Sequence, residues 1–381
     1  MVNEERMRKT FCELVEQYAP SKGEREVCEY LKKKLKALGA SKVVEDDAGE
    51  KTGGNCGNLI AVFNADTPGL PSIALTGHMD CVEVCKNIQP VLKDGVFRSA
   101  GDTILGSDDK AGVTAILEGL AQMKANYIPH GKITVIFTVQ EESGLDGSRV
   151  IDPKYLKDVD FAYVLDADGP AGTVYNAGPG QFKLFCTMHG KAAHAGIEPE
   201  KGVSAIAMMA HAVSHMKLGR IDDETTCNVG IIEGGIATNI VPETCSVKAE
   251  ARSRSHEKLL AVVEDMKKAF QSAEEAFPGG KVELEVKEMY QAFVVGENEP
   301  ALRLFRQAAG AAGFKVRVAA SGGGSDANWY GVKGCPALLV GAGMTDFHTN
   351  NESLKEQDLY DTGELVYRLI EEESHFQMHG K

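Results

Sequence analysis

The segment "KITVIFTVQEESG" (132–144) ends an apolar stretch in two adjacent acids, Glu141 and Glu142. If 132–139 is a strand, consecutive side chains point to opposite faces, so neighbouring acids at its end should not do the same job. Acids and histidines recur at comparable places. "SIALTG" (72–77) is followed by His78 and Asp80, "FAYVLD" (161–166) ends in Asp166, and "PALLVGAG" (336–343) leads to Asp346 and His348. Asp108 and Asp109, in "LGSDDKAG", open a helical pattern. Singly, these residues have ordinary readings: a structural histidine, an N-cap with a dipole-favoured neighbour, a solvated loop start. Together they are harder to dismiss, because five or more converging carboxylates cannot all ionise unless cations accompany them. Metal binding is the economical explanation.

The elements that must position these groups follow from hydrophobic patterning. Four short, near-continuous apolar runs (72–77, 132–139, 161–166 and 336–343) alternate with helical patterns such as 109–126, which argues for an α/β sheet covered on both faces. In such sheets ligands bind beyond the carboxyl ends of the strands, where these acids and histidines fall. The middle of the chain reads differently: strand 181–189, helix 201–217, strands 226–233 and 244–252, helix 256–275, strand 281–290. That βαββαβ order is the split, ferredoxin-like pattern. The chain therefore divides into an α/β domain in two parts (1–178 and 293–381) and an inserted domain (179–292). The glycine-rich "ASGGGSDANWY" (320–330) lacks the strand–helix setting of a dinucleotide loop and reads as a loop whose backbone amides can approach a substrate.

Composition narrows the function classes. The 381 residues suit two domains, and 41 basic against 55 acidic side chains give a net charge of −14, with no basic stripe for nucleic acid. No apolar run approaches the ~20 residues that span a bilayer. "MVNEERMRKTFCELVEQYAP" reads as a charged amphipathic helix, not a signal peptide. The nine cysteines are scattered without a C-x-x-C pair, so neither a disulfide framework nor a thiolate zinc site is signalled; Cys81 and Cys85 read as small buried apolar residues. A cytoplasmic setting follows.

As an ordered set, "TGHMD", "GDTILGSDDKAG", "VQEESG" and "FHTNNE" resemble the dinuclear-zinc metallopeptidase family of tripeptidases, aminoacylases and glutamate carboxypeptidases, and most of all its tripeptidase branch. The resemblance spans essentially the whole chain. It implies a catalytic domain with a mixed, helix-covered sheet and an inserted α+β lid that also forms a homodimer. It implies two zinc ions per subunit, although cobalt or manganese suits the same donors. Asp108 would bridge the metals, with a non-proline cis peptide after it; His78 and Asp166 would hold one, and Glu142 and His348 the other. Asp80 would stand behind His78 and orient it. Glu141 is then left as the general base. From the lid, His194 in "HGKAAHAGIEP" would stabilise the oxyanion, and Asn239 and Arg252, the latter with Arg254 as a rival, would bind polar groups of the substrate. The activity implied is release of the N-terminal residue from short peptides. The alternatives are an amidohydrolase or carboxypeptidase acting on N-acyl amino acids or dipeptides, and a non-catalytic metal- or peptide-binding protein. The motifs identify no residue for a free α-amino group.

Overall fold

A computed structural model describes residues 1–378. The chain forms two compact units, Met1–Ala177 with Val294–Lys381, and Gly178–Phe293. The first is built on a 12-stranded mixed sheet. At its centre, Ile133–Thr138, Ile73–His78, Phe161–Asp168 and Ala337–Thr345 run parallel, each flanked by the next. The first two of these strands are buried at every position, as continuous apolar runs require when both faces are covered. Register sets the level of the polar ends: Ile73 pairs with Ile133 on one side and with Phe161 on the other. His78 thus lies level with Thr138, and Thr76 opposite Val164 brings Asp166 to the same height.

Helix Ser107–Asn126 packs on three of these strands and on helix Glu356–Glu372. It is buried on nearly all sides, so it carries no narrow apolar stripe. Its approach to the sheet is close enough that a methyl group at Gly112 would lie 2.1 Å from Leu165 O. The helix expected over 109–126 begins two residues earlier, at Ser107, with non-helical dihedrals at Asp108 and Asp109 and a cis peptide bond between them. Among the described residues no helix is long and apolar enough to cross a membrane.

The second unit is a five-stranded antiparallel sheet in the order Gly219–Asp222, Thr225–Gly234, Thr244–Ser253, Gly180–His189, Lys281–Tyr290. Helices Ala205–Ser214 and His256–Ala276 pack on it around a core that includes Leu184, Met188, Met208, Val247 and Phe270. Apart from the short first strand this is the βαββαβ arrangement. The helix placed at 201–217 is shorter because Val203 exchanges backbone hydrogen bonds with Lys191, and Ser204 then caps the helix through Ala207 N.

One buried acid of the first unit makes folding pH-sensitive. Glu373 accepts from Gly131 N at 2.9 Å, while its second oxygen has no hydrogen-bond partner among the described residues. Burial, reinforced by Asp66, pushes its carboxyl from 4.5 up to about 8. The folded state therefore keeps a proton that the unfolded chain releases near 4.5, so the stability it contributes is lost as pH rises towards 8. Urea midpoints measured between pH 5 and 9 should fall with pH in the wild type, and the fall should be shallower in Glu373→Gln.

Candidate metal centre

The site grows from Asp80, fully buried two residues past the end of strand Ile73–His78. Its carboxylate lies 3.3 Å from His78 Nδ1 and accepts from Ser21 Oγ at 2.6 Å. It also accepts the backbone N–H of Glu141 at 3.0 Å and of Glu142 at 3.3 Å. One side chain therefore orients the imidazole and fixes both glutamates. Burial alone would raise its pKa, but His78, Ser21 and the Glu141 N–H outweigh that and hold it low. Just before the pair, Gln140 takes a left-handed turn (φ 54°), anchored by its N–H to Glu24 and its side chain to Thr52.

Asp108 stands between the two histidines. Its Oδ1 lies 3.0 Å from His78 Nε2, and its Oδ2 lies 3.2 Å from His348 Nε2. Asp166 Oδ1 is 3.5 Å from His78 Nε2, and Glu142 is 2.8 Å from His348 Nε2. The neighbouring Asp109 is otherwise engaged: its two oxygens accept the backbone N–H groups of His78 and Gly112. The double aspartate thus separates into one acid facing the imidazoles and one that ties helix to strand. Asp346 lies two residues before His348 in a loop where both residues have positive φ.

Glu141 differs from Asp80, Asp108, Asp109, Glu142 and Asp166, each of which has a hydrogen-bond or ion-pair partner. Among the described residues its carboxylate has no hydrogen-bond or ion-pair partner, although it lines a cavity of about 400 Å³ with Asp108, Asp166 and His348. The surrounding electrostatics are those of a carboxylate surplus. Asp166, Glu141 and Glu142 are each pushed up, first by burial and then by neighbouring carboxylates. His348 is pushed up to about 10 by Asp108 and Glu142. His78 is held well above its ordinary value because Asp166, Asp108 and Asp80 overcome its burial. Ligand atoms of His78, Asp108 and Glu142 lie within 4.8 Å of one another, as do those of His78, Asp109 and Asp166. Imidazole and carboxylate donors this close fit divalent metal, which would supply the missing positive charge.

Two supporting residues lie inside the quoted segments, Glu352 in "FHTNNE" and Lys110 in "GDTILGSDDKAG", but their types and spacing assign them no role. Glu352, buried, accepts the N–H groups of Leu105, Gly106, Ser107 and Asp108 at 2.8, 2.9, 2.7 and 3.2 Å, and Ser107 Oγ at 2.6 Å. The signal was indirect: Gly106 at the N-cap offers no side-chain acceptor, so the first N–H groups of the helix need one from elsewhere. Lys110, also buried, donates to Met79 O at 2.5 Å and joins the helix to the segment carrying Asp80.

Residues 74–372 match the profile of Peptidase family M20/M25/M40. The chain belongs to this family. It is 42% identical to aminopeptidase PepT from Bacillus cereus, covering 98% of this chain and 99% of that one with a TM-score of 0.91. A tripeptidase from Staphylococcus aureus is 38% identical over 99% of this chain and 100% of its own, with a TM-score of 0.95. The uncharacterised protein YqjE of Bacillus subtilis is 42% identical over 98% of this chain and 99% of its own length. The mixed sheet and the separate α+β unit are thus those of a family of metallopeptidases.

Within the second unit, His194 and Asn239 lie on adjoining exposed segments: His194 bridges Ile240, and Ala195 N donates to Asn239 O at 3.0 Å. Their pairing continues the ladder outward past Thr244 and His189. Arg252 lies at the opposite end of strand Thr244–Ser253, beside Gln181, with its guanidinium held by both oxygens of Glu250 at 3.0 and 3.1 Å. Arg254 donates to Asp223 O instead.

Proposed function

We propose that this protein is a metal-dependent aminopeptidase that releases the N-terminal residue of short peptides. The observation that carries this reading is the different employment of two adjacent acids: Glu142 is turned to His348, whereas the Glu141 carboxylate, at the cavity wall, has no partner among the described residues. Asp108 would span two ions, His78 and Asp166 holding one and Glu142 and His348 the other. Zinc suits these donors, as do cobalt and manganese. When bound, such a pair lowers the pKa of a shared water and polarises a carbonyl. Glu141 takes the proton of the attacking water at its carboxylate and returns it to the leaving amine. Asp80 keeps that carboxylate aimed by holding the Glu141 N–H.

In the lid, His194 would donate to the developing oxyanion, and Asn239 and Arg252 would hold polar groups of the peptide. Eight residue steps of strand, about 27 Å, separate Arg252 from the Thr244 end. A tripeptide spans only about 10 Å, so one copy of the lid cannot grip it from both ends. A homodimer, offering the two ends from different copies, resolves this. The strand Thr225–Gly234 supports an assembly, since its pairing with Gly219–Asp222 stops at Cys227 and Ile231 and Ile232 beyond it are exposed. Sedimentation reads the oligomeric state directly. Nine free cysteines fit a reducing, cytoplasmic compartment.

The test is hydrolysis of matched tripeptides with free and acetylated N-termini, followed by mass spectrometry with zinc-loaded and chelated protein. The expected result is chelator-sensitive release of the first residue from the free peptide only. Cleavage of the acetylated peptide, or loss from the carboxyl end, moves the activity to the acylase or carboxypeptidase reading.

A further inference from the structure

An aminopeptidase needs a group that recognises the protonated α-amine, and the sequence motifs name none. We infer that Asp168 is that group, a reading that rests on the aminopeptidase assignment. Asp168 ends the strand Phe161–Asp168, two positions beyond Asp166, and lines the same cavity as Glu141 and His348. Asp166 and Asp168 both line this cavity, at the point where the strand's register against Ala337–Thr345 shifts.

The side chain is fixed, yet uncommitted. Its Oδ1 accepts the phenol of Tyr175 at 2.6 Å. Tyr175 is itself buried and held between two strands, opposite Leu339 on one and Ala319 on the other. Burial, and then Asp168, push its phenol up to about 12, so it remains a donor at neutral pH. Arg317 is near enough to act on Tyr175, but among the described residues no Lys, Arg or His forms an ion pair with Asp168. A carboxylate oriented by a rigid donor, on a cavity wall and without a cation of its own, selects a cationic ligand.

The geometry fits an N-terminal residue. Its ammonium is two bonds from the scissile carbonyl carbon, so an anchor for it must lie close to the group that activates water. A charge-assisted contact of about 2.8 Å to Asp168 would hold the first residue with its carbonyl towards Glu141. An N-acyl group removes that charge and leaves Asp168 facing a neutral amide. The substrate class is therefore a peptide with an unblocked, protonated α-amine.

The experiment measures kcat and KM for trialanine and N-acetyl-trialanine with the wild type, Asp168→Asn, Asp168→Glu and Tyr175→Phe, with metal content determined for each. Asp168→Asn should lower the preference for the free peptide by about 10- to 100-fold, mainly through KM, with normal metal content. Tyr175→Phe should lower it less, and Asp168→Glu, which keeps the charge, should recover part of it. If the wild type prefers the free peptide and Asp168→Asn keeps that preference in full, this inference fails and the aminopeptidase reading stands. A wild type indifferent to acetylation overturns both.

Discussion

Replacing Glu141 by glutamine is expected to reduce kcat on a free tripeptide by about 100- to 10,000-fold, with metal content unchanged. The substitution keeps size and shape, and the backbone N–H that Asp80 holds is untouched. What it removes is the capacity to accept a proton. Since the Glu141 carboxylate has no partner among the described residues, no ion pair is broken and the fold should not suffer. Glu142→Gln provides the contrast. That side chain faces His348 at 2.8 Å, and its loss should appear as weaker metal retention before any change in chemistry. Metal analysis and single-turnover rates on the two variants separate the roles. A Glu141→Gln protein that keeps more than about a tenth of wild-type kcat, well above the general acid–base range, would remove Glu141 from the proton transfer.

The second large effect concerns Glu352. Its two oxygens satisfy four backbone N–H groups and one hydroxyl, all buried at the start of the helix that carries Asp108. Leaving a buried donor without a partner costs about 1–3 kcal/mol, and here several would be left at once. Glu352→Ala should therefore lose at least about 4 kcal/mol, a large share of the roughly 5–15 kcal/mol that holds a domain folded. Glu352→Gln is the more informative variant, because it keeps one acceptor oxygen but turns an N–H₂ towards N–H groups. It should unfold at a clearly lower urea concentration and bind metal more weakly, since Asp108 N is one of the donors released. A Gln variant within about 0.5 kcal/mol of wild type, the range of neutral surface changes, would show that water satisfies these groups instead.

The strands were legible because burial on both faces leaves a one-dimensional trace: four apolar runs, each followed by an acid or histidine. The second unit was legible from element order apart from the short strand Gly219–Asp222, and its core packs the expected helices on the expected strands. Helix ends were less so. Whether a helix starts at 201 or at Ala205 depends on Val203 pairing with Lys191, a contact that no local propensity encodes.

The sequence by itself determined which residue types reach the carboxyl rim of the sheet, and that two adjacent glutamates there should differ in employment. Strand periodicity and charge counting suffice for both. Only the tertiary structure decided how the roles are divided. Asp108 faces two imidazoles while Asp109 serves backbone N–H groups, although the two are chemically identical neighbours. Asp80 grips Glu141 and Glu142 from about sixty positions away, and Glu352 closes on Leu105–Asp108 from about 245. Such bonds join a side chain to backbone N–H groups, which every residue except proline possesses. They leave no mark on composition or spacing, and the register of the folded sheet alone brings the partners together.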